Sequence, residues 1–116
     1  MLEIYKIEKN HIHFKSGKEK VYFGGIEKEE ICKYLEEEPK IILEFGSFDG
    51  GDGLKYKTDF PDATVVSIEA CPDCFSELEY LKSFGVNVLN YCVTDFNGEI
   101  DFYQSFSKNK NHRASV

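Results

Sequence analysis

The chain has 116 residues, 41% of them apolar, and 21 acidic against 14 basic side chains give a net charge of −7. This length predicts a single domain, and the negative charge argues against nucleic acid or an anionic membrane as partner, since both attract clustered lysine and arginine. No apolar run reaches the roughly 20 residues that a membrane-spanning helix needs, and the four cysteines are too scattered for a disulfide scaffold. We therefore expect a reduced, cytoplasmic protein.

The N-terminal part of the domain, residues 1–38, is predicted to form a small antiparallel element followed by a helix. Period-two alternation of apolar residues indicates two or three short strands with turns between them. Helical spacing over residues 26–38, stopped by Pro39, predicts the helix. The alternating pairs are Leu2/Ile4, Ile12/Phe14 and Val21/Phe23, and the turn signals are Asn10 and Ser16-Gly17.

The remaining residues, 39–116, have the pattern of a parallel α/β sheet. Short, nearly continuous apolar runs at residues 41–43 and 65–68 are typical of strands covered on both faces. A helix over residues 71–84, with Pro72 at its first position and Gly85 after its end, leads to a strand over residues 86–89. A fourth strand is predicted at Ile100 and Phe102. The sequence thus predicts an α/β fold with a Rossmann-like parallel sheet of about four strands, in the order 3-2-1-4 or a truncated version of it.

A glycine-rich loop and two glutamates mark the candidate site. Residues 46–53 contain four glycines directly after the first apolar strand, which ends in Glu44-Phe45, and Glu69 ends the second. Ligands of open parallel sheets bind outside the carboxyl ends of the strands, and an acid there can accept hydrogen bonds from both ribose hydroxyls. The arrangement predicts a site for a nucleoside cofactor.

The charge of the loop distinguishes between nucleoside cofactors. Asp49 and Asp52 lie in it, and no lysine or arginine occurs before Lys55. A pyrophosphate about 4–6 Å from such an acid would cost on the order of 3–4 kcal/mol at an effective dielectric constant of 20, and no G-x-G-x-x-G pattern is present. S-adenosylmethionine instead carries a sulfonium and an ammonium group. The acidic loop favours it over a dinucleotide.

Two segments resemble a known family. Residues 41–50, IILEFGSFDG, look like the first motif of class I methyltransferases, an acid-x-Gly-small-x-x-Gly loop, and Glu69 matches the acid that ends their second strand. Residues 90–103, NYCVTDFNGEIDFY, resemble the small-Val-x-Asp-x-x-Gly-Glu-hydrophobic-x-Phe-Tyr segment of the FkbM-type methyltransferases. The likeness runs from about residue 40 to the C-terminus, and departs from the family at Ala70, where proline is usual.

The resemblance implies an S-adenosylmethionine-dependent methyltransferase that transfers the methyl group to an oxygen of a small-molecule or sugar hydroxyl. It implies that the methionine end of the cofactor lies at the glycine loop, the ribose at the acid of the second strand and the adenine beside the following residues and the third strand. The residues that these roles fall on are Glu44, Gly46, Ser47 and Gly50 for methionine, Glu69 for ribose, and Ala70 and Cys92 for adenine, within a stretch from Asn90 to Val93.

Other chemistry-bearing residues have simpler interpretations. Cys71 and Cys74 have metal-ligand spacing, but a structural zinc site needs two further ligands, and Cys74 fits the apolar stripe of the predicted helix. His11 and His13 share one face of a strand without a carboxylate pattern beside them, so we interpret them as exposed strand residues. Asp95 and His112 are the two candidate bases, and the catalytic residue stays unassigned.

Two further functions stay open beside the methyltransferase. One is a non-catalytic module that binds the cofactor or a protein partner, and the other, disfavoured by the acidic loop, is a nucleotide-dependent oxidoreductase. The sequence ends where the family's fold would continue, so we expect an unpaired sheet edge. Such an edge would be covered in a homodimer or through completion by another chain.

Overall fold

The computed structural model describes residues 3–8, 11–17, 19–21, 26–105 and 113–115. Within them, the strands form three sheets, and the helical segments are short. The strands are β1 (Ile4–Glu8), β2 (His11–Phe14), β3 (Glu19–Val21), β4 (Ile41–Phe45), β5 (Thr64–Ile68), β6 (Asn87–Leu89), β7 (Tyr103–Ser105) and β8 (Arg113–Ser115). The helices are α1 (Lys28–Cys32), α2 (Gly51–Asp59), α3 (Pro72–Ser76) and the 3₁₀ helix Glu79–Phe84.

The central sheet is parallel, in the order β4-β5-β6. Helix α2 connects β4 to β5, and α3 with the 3₁₀ helix connects β5 to β6. β5 is rich in β-branched residues, which pack well in a covered strand. Its Val65 is fully buried beneath α2 and the 3₁₀ helix. The α/β fold and its parallel sheet are confirmed, and the observed order is the 3-2-1 part of the predicted one.

The predicted antiparallel N-terminal element is also observed, as the sheet β1-β2-β3. β2 alternates between half-buried and buried residues, and it directs Ile12 and Phe14 into the same apolar cluster as Leu54, Val65 and the leucines of the 3₁₀ helix. Burying each of these two side chains stabilises the fold by about 1.5–3 kcal/mol. The ring of Phe14 meets that of Tyr80 edge to face, with 5.9 Å between their centroids.

Coverage of both faces of the parallel sheet was predicted, and this is wrong for the described residues. α2 and the 3₁₀ helix pack on one face, whereas Ile41, Leu43 and Phe45 of the edge strand β4 are 66%, 53% and 60% exposed on the other. Their apolar character alone indicated a buried strand. What it could not indicate is whether a partner element lies over them.

Both long predicted helices are shorter in the structure. The helix over residues 26–38 is reduced to α1, because Tyr34 and Leu35 beyond it stay exposed and gain no packing that would extend it. The helix over residues 71–84 is divided between α3 and the 3₁₀ helix. Leu78, Leu81 and Phe84 are spaced by three, which is the 3₁₀ repeat, so this geometry aligns them on one side. Pro72 and Gly85 lie at the predicted ends.

The predicted fourth parallel strand is not observed. Ile100 and Phe102 lie outside regular structure, and the strand that follows, β7, pairs antiparallel with β8. Alternation over three residues was too short a signal to determine the partner. Several other residues with a predicted role, namely Leu2, Asn10, Phe23 and His112, lie outside the described residues. In the part of the chain that is described, no helix combines the length and apolarity needed to traverse a bilayer.

Candidate functional site

The candidate site lies at the carboxyl edge of the parallel sheet, where β4 and β5 end side by side. Phe45 pairs with Ile68, so the loop after β4 and Glu69 after β5 begin at the same level. The amides of Gly46 and Ser47 both donate to the carbonyl of Ile68, at 2.8 and 3.3 Å, and so continue the strand pairing into the loop. The predicted residues Glu44, Gly46, Ser47, Gly50 and Glu69 are thereby brought together.

Glu69 ties the glycine loop to the start of α3. Its side chain is buried, and Oε1 accepts the Phe48 amide at 2.6 Å while Oε2 accepts the Cys71 amide at 3.0 Å. Phe48 has a φ of 51°, an uncommon conformation for a residue other than glycine, and the bond to Glu69 holds it there. Each carboxylate oxygen has a second lone pair, so each could accept one further hydrogen bond.

Glu44 is the second acid of the site, and it is half-buried. Its Oε2 accepts hydrogen bonds from Ser67 Oγ at 2.8 Å and from Ser47 Oγ at 3.3 Å. Burial raises the pKa of Glu44 to about 7, and the nearby charge of Asp52 acts in the same direction, against the two serine hydrogen bonds. A group that titrates near neutrality can respond to a bound cation by losing its proton.

Asp49 and Asp52 give the loop further negative charge. Oδ1 of Asp49 accepts the Gly51 amide at 3.1 Å, and its carbonyl accepts the Tyr80 hydroxyl at 2.7 Å. Burial, and then the neighbouring Asp49, raises the pKa of Asp52. The loop is thus fixed from three directions: by β5, by Glu69 and by the 3₁₀ helix. These contacts hold the loop in one conformation.

Gly50 and Gly46 form a matched pair for testing how the loop packs. Both have positive φ, 82° and 86°, but a Cβ at Gly50 would lie 2.7 Å from Leu81 Cδ1, whereas one at Gly46 would meet nothing within 4 Å. Alanine costs about 1–2 kcal/mol at either position through its left-handed backbone. We expect Gly50→Ala to cost a further 1–3 kcal/mol or so through overpacking against the buried leucine. Urea unfolding measures both, and equal destabilisation would contradict the packing.

The residues predicted to border adenine line an open cavity beyond the loop. Ala70 and Cys92 both contribute to its wall, and its volume is about 470 Å³. Asn90 fixes the wall, since its Nδ2 donates to the carbonyls of Glu69 at 2.8 Å and Ala70 at 3.2 Å. The cavity is also lined by Pro72, Tyr91, Gly98, Glu99, Ile100 and Phe102. The segment after β6 therefore faces the segment after β5, as a site shared between strands requires.

No catalytic base emerges among the described residues. Asp95 is exposed in a bend after β6, and His112 lies outside the described part of the chain. Cys71 and Cys74 are both buried, and desolvation followed by the hydrogen bond with Cys71 raises the pKa of the Cys74 thiol to about 12. A thiol so protonated is a poor nucleophile or metal ligand. Across the described ranges, no three histidine, cysteine or acidic side chains converge as metal ligands would.

Ser67, Tyr80 and the close approach at Gly53 were not predicted as part of the site. Ser67 interrupts the apolar run formed by Val65, Val66 and Ile68, and this buried polar residue was the available signal. Tyr80 carried no comparable signal, because its hydroxyl reaches a backbone carbonyl 31 residues away.

No protein family, curated protein sequence or solved structure matches the chain.

Proposed function

We propose that the chain binds S-adenosylmethionine between β4 and β5 and that its fold is the class I, Rossmann-like methyltransferase fold. The observation that carries the proposal is the pair of acids, Glu44 and Glu69, at the carboxyl ends of adjacent parallel strands with a preorganised glycine loop between them. Ribose hydroxyls suit Glu69, since each of its oxygens keeps one acceptor position. An ammonium or sulfonium group suits the acidic end at Glu44.

The local electrostatics disfavour a dinucleotide. The amide of Gly51, at the start of α2, would be one of the donors to a phosphate, but it already donates to Asp49. Glu44 and Asp52 add acidic groups beside it. A pyrophosphate would displace one hydrogen bond and meet several like charges, whereas the ammonium and sulfonium groups of S-adenosylmethionine would be attracted by them. An oxidoreductase with a nicotinamide cofactor is correspondingly disfavoured.

The proposed assignment gives each part of the cofactor the residues that the sequence resemblance implies. The methionine end of the cofactor lies at Glu44, Gly46, Ser47 and Gly50, the ribose at Glu69, and the adenine in the cavity beside Ala70 and Cys92. We further propose, on the sequence resemblance to the FkbM-type family, that the methyl group passes to an oxygen of a small-molecule or sugar hydroxyl. The base that accepts the hydroxyl proton stays unassigned.

An alternative is a non-catalytic module that binds the cofactor or a protein partner. The exposed Ile41, Leu43 and Phe45 on the edge strand β4 favour it, since an uncovered apolar sheet face is a typical contact surface. The same face could be covered in a homodimer or through completion by another chain. If it is, sedimentation would detect association of the protein at micromolar concentration. A methyl-transfer assay with hydroxyl acceptors would distinguish the module from the enzyme.

The experiment for the cofactor is calorimetric titration of the chain with S-adenosylhomocysteine, and with NAD as the comparison. We expect saturable binding of the first and none of the second. Binding of NAD with equal or higher affinity would contradict the electrostatic argument. Absence of binding to both would leave the glycine loop a structural turn and favour the interaction module.

A further inference from the structure

Ser67 carries a buried hydroxyl among the apolar residues Val65, Val66 and Ile68 of β5. The residue is fully buried, and it lies directly opposite Glu44 in the parallel register. Its Oγ donates to Glu44 Oε2 at 2.8 Å. Burying a hydroxyl is costly unless it is hydrogen-bonded, so this contact satisfies Ser67 and at the same time orients Glu44.

The backbone of α2 closes over this contact at Gly53. A Cβ at Gly53 would collide with Ser67 Oγ and lie 3.0 Å from Glu44 Oε2. Glycine at this position therefore lets the helix cover the bonded oxygen without separating the pair. Oε1 of Glu44, in contrast, accepts no hydrogen bond from the described residues.

We propose that Ser67 is a positioning residue of the site: it holds Glu44 through Oε2, so that Oε1 is presented to a cationic ligand. Ser47 also donates to Oε2, but its bond is longer, at 3.3 Å, and its hydroxyl lies equally close to the carbonyl of Ile68, at 3.4 Å. Among the described residues, Ser67 Oγ has no such alternative acceptor, so it dominates the orientation of Glu44. The cationic ligand rests on the proposed function, whereas the Ser67–Glu44 pair does not.

The surroundings of Glu44 explain why this positioning has a consequence for charge. Within the described part of the chain, the titratable groups that face it come from the loop, from α2 and from the 3₁₀ helix, and all are acidic or neutral; they are Asp49, Asp52, Tyr56 and Tyr80. With no cation among them, the serine hydrogen bonds are what favours the ionised form. Removing the Ser67 hydroxyl therefore favours protonation of Glu44 at neutral pH.

The direct test is a pH titration of the Glu44 side-chain carboxyl by carbon-13 NMR, without any ligand. We expect Ser67→Ala to raise its midpoint by about one pH unit, which corresponds to the loss of one charge-assisted hydrogen bond. Ser47→Ala is the matched control and is expected to shift the midpoint less. Ser67→Cys, with a weaker donor of similar size, should lie between wild type and alanine. An unchanged midpoint in both Ser67 variants would overturn the proposal.

A second readout separates positioning from a merely structural role. Glu44 is half ionised at pH 7 in the wild type. A rise of one unit in its pKa therefore lowers its ionised fraction about fivefold at pH 7 and less than twofold at pH 9. The affinity of Ser67→Ala for S-adenosylhomocysteine should fall in those proportions relative to wild type. An equal loss at both pH values would overturn the positioning role. If wild type does not bind this ligand, the proposed function fails, and the NMR titration still decides the role of Ser67.

Discussion

Replacing Glu69 with alanine is expected to weaken S-adenosylhomocysteine binding about a hundredfold or more and to destabilise the fold by about 2 kcal/mol. Hydrogen bonds to a charged group are worth about 1.5–3 kcal/mol each, and a ribose would lose two of them. The stability loss has a separate cause, since Glu69 is the acceptor for the amides of Phe48 and Cys71. Cys71 is buried, so its amide would be left without a partner.

Thermal unfolding and calorimetry measure the two effects of Glu69→Ala independently. Glu69→Gln keeps one carbonyl acceptor and is expected to lie between wild type and alanine in both. Asp62→Ala removes an exposed acid from the turn before β5 and serves as the charge control. A Glu69→Ala protein that unfolds at the temperature of wild type would show that the loop does not depend on this side chain.

Replacing Glu44 with glutamine is expected to act in opposite directions on stability and on binding. Glutamine keeps an oxygen that can accept from Ser67 and Ser47 but carries no charge into the half-buried position. It should therefore raise the melting temperature at pH 8, by about 4 °C once solvent screening is allowed for. The same substitution removes the anion that we propose faces the ligand's ammonium, and binding should weaken at least tenfold or so.

The stability effect of Glu44→Gln should depend on pH with a defined sign. In the unfolded chain, Glu44 loses its proton near its ordinary pKa of 4.5, whereas in the folded chain the pKa is about 7. The folded state thus holds the extra proton between these values, and the contribution of Glu44 to stability is present below pH 4.5 and lost as pH rises through 7. The advantage of glutamine should be near zero at pH 4.5 and complete above pH 8.

Melting curves of wild type and Glu44→Gln across this pH range test the argument. Glu36→Gln is the matched control, since it removes the same charge from an exposed position outside regular structure. A constant difference between Glu44→Gln and wild type at every pH would contradict the raised pKa. A lower melting temperature at pH 8 would show that the carboxylate is stabilised by its surroundings.

The parts of the fold that the sequence predicted correctly are those in which several local signals agreed. The β4 and β5 strands were indicated by dense apolar runs between turn signals, and Pro72 and Gly85 marked the limits of the helical segment before β6. The prediction of secondary structure was wrong where it rested on a single sequence pattern. Helical spacing after α1 did not predict that Tyr34 would find no packing partner, and the alternation at residues 100–102 did not determine a sheet.

The site could be predicted in position but not in its internal contacts. Strand ends and glycine spacing were enough to bring Glu44 close to Glu69, because parallel register places consecutive strand ends at one edge. The contacts of Ser67 and Tyr80 are long-range pairings, across 23 and 31 residues, that no local pattern encodes. These contacts determine which oxygens of the acids stay available, so the chemistry of the site became visible only with the fold.

The most direct measurement of the central claim is to map the ligand on the chain itself, by nitrogen-15 NMR of the labelled protein titrated with S-adenosylmethionine. We expect saturable shifts at the loop amides of Gly46, Ser47 and Gly50, and at Ala70 and Cys92 beside the cavity. We expect NAD at the same concentrations to leave the shifts of these amides unchanged. Shifts confined to the antiparallel β1-β2-β3 sheet, or no saturable shift at all, would contradict a cofactor site between β4 and β5.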